Sequence, residues 1–383
     1  MQNMFTTQKE KQHYVPKFFL RRFSYQNDGK TIGVFNPKTG MFFPRGALKT
    51  QAYRPYFYGK DGVLEDRLSL VEGVTAELLR RITIADTPVK RGSVDHVGIL
   101  FHLLLSSMRT GGNIDRMKSQ LNDPLRKVFA EAPSGKLPKE MPQLTMTDEK
   151  AITFSMEFLE EGLEMCQDLE ARVIKNPTPM AFITCDDPVL RYNQLLEKHR
   201  VIGGVTGTAH AGLQFFLPID AQTLVVVYDS KYYKVGTRHT TGVVNCSEED
   251  VNSINLLSML NCEQTVFFNE QINHSYLKQL ALRAARLPVP NQTVATKLYP
   301  IVKRGSAQIF SPEEPASYQS VVLHTYTTPL KTKLDLTFLR FTRESSRFIP
   351  YAQPANMRPH CAALSQRDND QGPRTSVKFT YDD

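Results

Sequence analysis

The sequence predicts an α+β fold, with an N-terminal helical portion packed against a mainly antiparallel or mixed sheet formed largely by residues after 171. Three observations predict it. Apolar residues recur at helical spacing between residues 61 and 170. Beyond 171 the period shortens and β-branched runs take over. No strict strand–helix–strand alternation links the two parts. With 383 residues the chain can bury a sizeable core without disulfides or metal. Its 41% hydrophobic and 22% charged residues exclude a wholly disordered chain or a rod.

The elements follow in order. In HYVPKFFLRRF, Pro16 suits the first turn of a short helix that carries Arg21 and Arg22. VFNPKTGMFF reads as a hairpin around Asn36 to Gly40. Asp61 to Ile84 is an amphipathic helix with Leu64, Leu68, Val71, Leu78, Leu79 and Ile82 on one stripe. Ser93 or Asp95 caps the next helix, which runs to about Arg109 and is apolar all round, hence buried. A third helix is expected from about Asp148 to Glu170, after a Pro-rich loop from Ala132 to Gln143. ARVIKN, MAFITCDDP, LQFFLPI and TLVVVYD read as strands. Ser247 with Asp250 opens a capped helix to Leu260. TVFFN reads as a strand and HSYLKQLALRAARL as a basic helix; SVVLHTYTT and LDLTFLRF are β-prone. The polar tail from about Gln366 is expected to be disordered. Residues 1–295 are therefore one main domain: a basic segment 1–60, a helical part 61–170 and a strand-rich part 171–295. Residues 296–383 form a β-prone extension.

Charge is unevenly spread. The net charge is +8, and residues 1–60 alone hold 11 Lys/Arg against 2 acids, interleaved with aromatic residues. Such a segment suits phosphate, whose counterions the cations release, and base stacking; the plainer alternative is aromatic core with a solvated cationic rim. Five cysteines without CxxC spacing argue for free thiols. No HExxH, no His/Cys grouping of zinc type, no GxxxxGK[ST] and no GxGxxG occurs, so neither zinc nor a nucleotide cofactor is expected. The longest apolar run, Val97 to Leu105, contains His102 and is too short to span a bilayer. A cytoplasmic protein without membrane partners is expected.

Four groupings carry chemistry-bearing side chains. His13 and Tyr14 stand near Arg21 and Arg22: an imidazole for proton transfer beside groups that hold phosphate or carboxylate. Asp186 and Asp187 end an apolar strand, where carboxylates can hold Mg²⁺ or divide acid and base roles; an Asp that caps the turn is an equal alternative. Arg109, leaving a buried helix, needs a carboxylate such as Glu65 or Glu72. Asn252 and Asn255 share a helix face and suit either substrate positioning or joining two elements.

HYVPKFFLRRF and FITCDDPV resemble a bacterial family known only as domain of unknown function 4238, with motifs of the form QHYVPxFxLRxF and TSDxPV. The matching residues are Gln12 to Pro16, Phe18, Leu20, Arg21, Phe23, Glu72, Arg109-Thr110, Thr184, Asp186, Pro188, Val189 and Asn255, over roughly residues 11–270. The chain departs at Cys185, usually Ser, which weighs against a cysteine nucleophile, and at Asp187, usually an amide. The resemblance implies antiphage defence, since some members stand among bacterial defence genes. The expected function is thus a single-protein defence effector that cleaves phosphodiesters, with His13 and Asp186 catalytic. Tyr14, Arg21, Arg22, Arg109 and Asn255 would bind substrate, and Asp186 and Glu72 would hold any Mg²⁺. Nucleic acid is the partner expected in that reading; the alternative is a non-catalytic recognition module that binds a phage component and triggers growth arrest.

Overall fold

The computed structural model describes residues 10–85, 88–120, 146–201, 203–236, 243–304, 307–311, 313, 322–350 and 356–370. Its first strand, β1 (Lys11–His13), pairs antiparallel with β4 (Tyr53–Pro55), and between them lie helix α1 (Lys17–Leu20) and the hairpin of β2 (Thr31–Phe35) and β3 (Phe42–Ala47). The hairpin forms where expected: Asn36 Oδ1 accepts the Lys38 and Thr39 amides, and Gly40 takes a left-handed φ of 73°.

The helices α2 (Val63–Ile84) and α3 (Val94–Met108) match the apolar stripes; Ser93 caps α3 by accepting the His96 amide. Residues 111–120 form α4. The single helix expected from 148 is two, α5 (Asp148–Glu157) and α6 (Leu159–Cys166). At Phe158 (φ −88°, ψ 1°) the amide turns to Ser155 and Met156, which breaks the α-helical ladder. The Pro-rich stretch 132–143 lies outside the described residues.

The strands that follow are β5 (Glu170–Lys175), β6 (Thr184–Cys185), β7 (Leu190–Tyr192), β8 (Gln214–Asp220) and β9 (Thr223–Tyr228), with α7 (Gln194–Lys198) between β7 and β8. Then come β10 (Tyr233–Val235), β11 (Val244–Asn245), α8 (Glu248–Asn261) with its capping box, β12 (Val266–Phe268) and α9 (His274–Ala284). The C-terminal part adds β13 (Thr293–Arg304), β14 (Ala307–Ser311), β15 (Val322–Thr327), β16 (Leu339–Phe341), α10 (Arg343–Ser346) and α11 (Pro359–Asp370). Residues 366–370, expected to be disordered, belong to α11; the tail beyond 370 lies outside the described residues.

The class is α+β, but the expected segregation is wrong. Helices and strands are spread along the chain, and the first 60 residues supply four strands. One sheet has the order β3-β2-β12-β6, so the N-terminal hairpin pairs with β12, more than 200 residues away. Its close fit depends on Gly33, opposite Phe268: a Cβ there would come within 2.3 Å of the Phe268 ring. A second, mixed sheet has the order β11-β5-β9-β8-β7, with β11 parallel to β5. The β-branched and aromatic residues of TIGVF, with Phe42 and Phe43, favour strands, but they carry no mark of the distant strand that β2 pairs with.

The mixed sheet is buried on both faces, as the side-chain alternation along β8 shows. Phe215 and Leu217 pack with Phe19, Phe23, Leu100 and Leu103 of the N-terminal layer. Phe216 packs with Val251, Ile254 and Leu257 of α8 and with Leu334, Leu336 and Phe338 of the C-terminal part. Residues 330–339 of the C-terminal part therefore contribute to the main core.

Candidate functional site: the turn after strand β6 and the cavity beside it

The turn after β6 holds two buried carboxylates. Asp186 accepts three backbone N–H bonds, from Glu263 at 2.9 Å, Gln264 at 2.8 Å and Thr265 at 3.0 Å, and so clamps the loop between α8 and β12. Burial outweighs these bonds and pushes its carboxyl up to about 6, with Asp187 adding to the rise. Asp187 Oδ2 accepts from Arg116 at 2.7 Å, and the other arm of Arg116 reaches Glu263 at 2.5 Å. Cys185 donates to the Asp187 carbonyl, and burial raises its thiol well above the usual range, so it is no nucleophile in this state.

The residues singled out in the sequence divide among several places. Tyr14 and Asp186 line one small cleft of about 70 Å³ together with Arg54, Gly111 and Asp115. Burial, followed by the nearby Asp186 charge, raises the Tyr14 phenol. His13 is not in that cleft. Its Nδ1 meets the Gln51 carbonyl at 2.9 Å, its ring packs on Tyr53, and its Nε2 is buried without a partner among the described residues. Burial and Lys17 lower its pKa to about 4, so it is neutral at pH 7. Arg22 stands in another cleft, donating to Asp220, Thr83 and the Ile219 carbonyl. Arg21 is exposed.

Arg109 is 1% exposed and pairs with Glu72 at 2.9 Å, which commits that carboxylate to a guanidinium and leaves Asp186 and Glu72 in separate environments. Asn255 is fully buried. It accepts the Ile183 amide and donates to the Ala181 carbonyl and Tyr276 hydroxyl, tying α8 to the strand that leads to β6. His13, Arg22, Arg109, Asp186 and Asn255 thus do not surround one cavity. Among the described residues, no group of three or more His, Cys, Asp and Glu is placed to hold a metal ion.

A larger cavity of about 460 Å³ opens on the Asp187 side of the turn. Arg116, Asp187, Arg191 and His210 supply its charged and titratable groups, and Tyr326 to Leu330 close it from the C-terminal part. Arg191 lies on β7 opposite Phe215 on β8, and its guanidinium packs over that ring at 5.5 Å. Burial lowers the pKa of Arg191 and that of His210. Two glycines allow the wall to close: a Cβ on Gly204 would come within 3.2 Å of Tyr326, and one on Gly207 within 2.8 Å of His210. Sequence reasoning missed this cavity. The run Gly203-Gly204-Val205-Thr206-Gly207 signals a close backbone approach, but Tyr326, which Gly204 meets, is about 120 residues further on.

The architecture defines an α+β protein with a polar cavity walled by two distant stretches of chain. A family model described as protein of unknown function (DUF4238) matches residues 11–271, more than half of the chain, and the chain belongs to that family. No curated protein and no solved structure matches it. Part of the cavity wall, Asn291 and Tyr326 to Leu330, lies beyond the matched stretch. No described helix is long and apolar enough to cross a membrane.

Proposed function

We propose that the chain is a recognition component of antiphage defence that docks nucleic acid on its basic N-terminal layer and signals growth arrest without cutting its ligand. The defence context rests on the family resemblance. The docking surface rests on one observation: Lys11, Lys17, Arg21, Lys30, Lys38, Arg45, Lys49 and Lys60 are all exposed, against only Glu10 and Asp28 as exposed acids between residues 10 and 60. Most aromatics of this segment, among them Phe19, Phe23, Phe35, Phe57 and Tyr58, are core. Several others have a cation over one face, as Arg45 has over Tyr25, Lys11 over Tyr53 and Lys60 over Tyr56. The contact is therefore mainly with phosphate, with Phe43, 51% exposed, as the candidate for stacking.

Cleavage by His13 and Asp186 is not part of this reading. The imidazole is bonded to Gln51 and the carboxylate to the amides of 263–265, and no hydrogen bond joins the two. The experiment is fluorescence anisotropy with duplex DNA, single-stranded DNA and RNA of one length, followed by gel analysis of the recovered strands. Binding that is lost in Lys38→Glu/Arg45→Glu/Lys49→Glu, with strands recovered intact, is the expected result. Absence of binding at low salt, or cleaved strands, overturns the reading.

A further inference from the structure

We propose that the cavity between β7 and the C-terminal strand β15 binds a small phosphate ester through Arg191. The site is independent of the basic N-terminal face, since no residue from 10 to 60 lines it.

The argument begins with charge. The carboxylate whose charge acts on Arg191, Asp187, is already committed: it is held by Arg116 at 2.7 Å. Among the described residues the Arg191 side chain makes no hydrogen bond and no ion pair; it feels the Asp187 charge without pairing with it, and its guanidinium packs on the face of Phe215. A guanidinium cannot shed its charge at neutral pH, and a partly desolvated one whose N–H groups have no acceptor is costly. An anion in the cavity removes that cost.

Chemistry and size narrow the ligand. Arg116 is divided between Asp187 and Glu263, so Arg191 is the lining guanidinium that has no salt-bridge partner among the described residues. The planar fork of Arg191 matches the oxygens of a phosphate. Val189, Pro329 and Leu330 give the cavity an apolar side beside this polar one, so it suits an organic body as well as the anionic head. A volume of about 460 Å³ falls within the range of small-molecule sites and is far larger than a lone phosphate requires. The C-terminal wall, Tyr326 to Leu330, lies outside the family match and would set which organic body is accepted.

The test uses the full chain, with calorimetry and thermal shift against inorganic phosphate, the four nucleoside monophosphates, a hexose phosphate and the parent nucleosides. Phosphate esters should bind saturably, inorganic phosphate more weakly because it lacks the body, and nucleosides not at all. Arg191→Met should weaken ester binding roughly tenfold or more, the loss typical of a charge-assisted hydrogen bond, while the melting temperature without ligand stays level or rises. Arg191→Lys keeps the charge and the stem but lacks the fork, and should bind with intermediate affinity. Four outcomes overturn the site: no phosphate-bearing probe binds, inorganic phosphate binds as tightly as the esters, nucleosides bind as well as their phosphates, or Arg191→Met binds like the wild type. A fall in the ligand-free melting temperature of Arg191→Met also overturns it, because Arg191 would then be a structural group.

Discussion

Asp186 and Asp187 are consecutive in the chain, yet they line different cavities on the two sides of one turn. Asp186 binds the amides of residues 263–265, and Asp187 binds Arg116. Arg116 joins the two sides, because its second arm holds Glu263, whose amide binds Asp186. The turn therefore couples α4, α8 and β12 through one guanidinium. A change on either carboxylate is felt first as a change in how these elements sit together.

Asp186→Ala tests the clamp. Three backbone amides lose their acceptor, at about 1 kcal/mol each. The folded-state pKa of about 6 lies above the ordinary value of 3.8. A raised carboxyl pKa means that the folded state binds the proton more tightly, so this group's contribution is full below about pH 4 and is lost as pH rises through 6. The variant should be less stable than wild type at pH 4.5, and the gap should narrow by about 2 kcal/mol by pH 7. Urea titrations across that range measure it; a gap that widens with pH refutes the assignment.

Removing one member of the Glu72–Arg109 pair should be more damaging than removing both. The Arg109 side chain is 2% exposed, so Glu72→Ala strands a buried cation, at about 3–5 kcal/mol. Glu72→Leu/Arg109→Met should recover most of that loss. Equal losses in the single and double variants would show that the arginine is needed for more than its charge.

His102 sets part of the acid limit. It is buried against Phe18 and Phe19, and burial lowers its pKa from 6.5 to about 3. A depressed histidine pKa contributes stability that is present above about 6.5 and lost as pH falls towards 3. His102→Leu should match wild type near pH 7 and exceed it by a few kcal/mol at pH 4. Identical acid limbs in circular dichroism would show that other groups control acid unfolding.

These sites differ in how far the sequence revealed them. Helices α2, α3 and α8 were legible because their own residues specify each: an apolar stripe in α2, the Ser93 cap and an apolar run in α3, and the Ser247–Asp250 capping box in α8. The pairing of β2 with β12 was not, since a five-residue strand carries no mark of a partner more than 200 positions away. The motif residues were found, but their types fit more than one role. Asn255 at a helix–strand junction and Asn255 in a pocket look the same in sequence, and only the Ile183 and Ala181 bonds distinguish them. Arg191 gave no signal, because its significance is that its side chain has no hydrogen-bond partner among the described residues.

Docking of nucleic acid on the basic layer predicts a salt slope. Each phosphate neutralised contributes about −0.9 to the slope of log K against log salt for duplex DNA. Replacing Lys38, Arg45 and Lys49 by Ala should make the slope shallower by up to about 3, with affinity falling alike for all sequences. A lower affinity with an unchanged slope would mean that these residues do not touch phosphate.

A fragment ending at residue 295, the boundary suggested by composition, should not fold. It lacks Leu330, Leu334, Leu336, Phe338 and Leu339, all in the core on the α8 face of the mixed sheet. At about 1.5–3 kcal/mol each, these five side chains account for about 10 kcal/mol, comparable to the whole stability of a typical domain. It also lacks Arg358, which is 1% exposed and holds Asp168, the Met165 carbonyl and the His210 carbonyl together. The expected fragment binds a hydrophobic dye and melts without a cooperative transition. A sharp calorimetric transition would show instead that the family-matched part is a self-sufficient domain, with the C-terminal residues merely laid upon it.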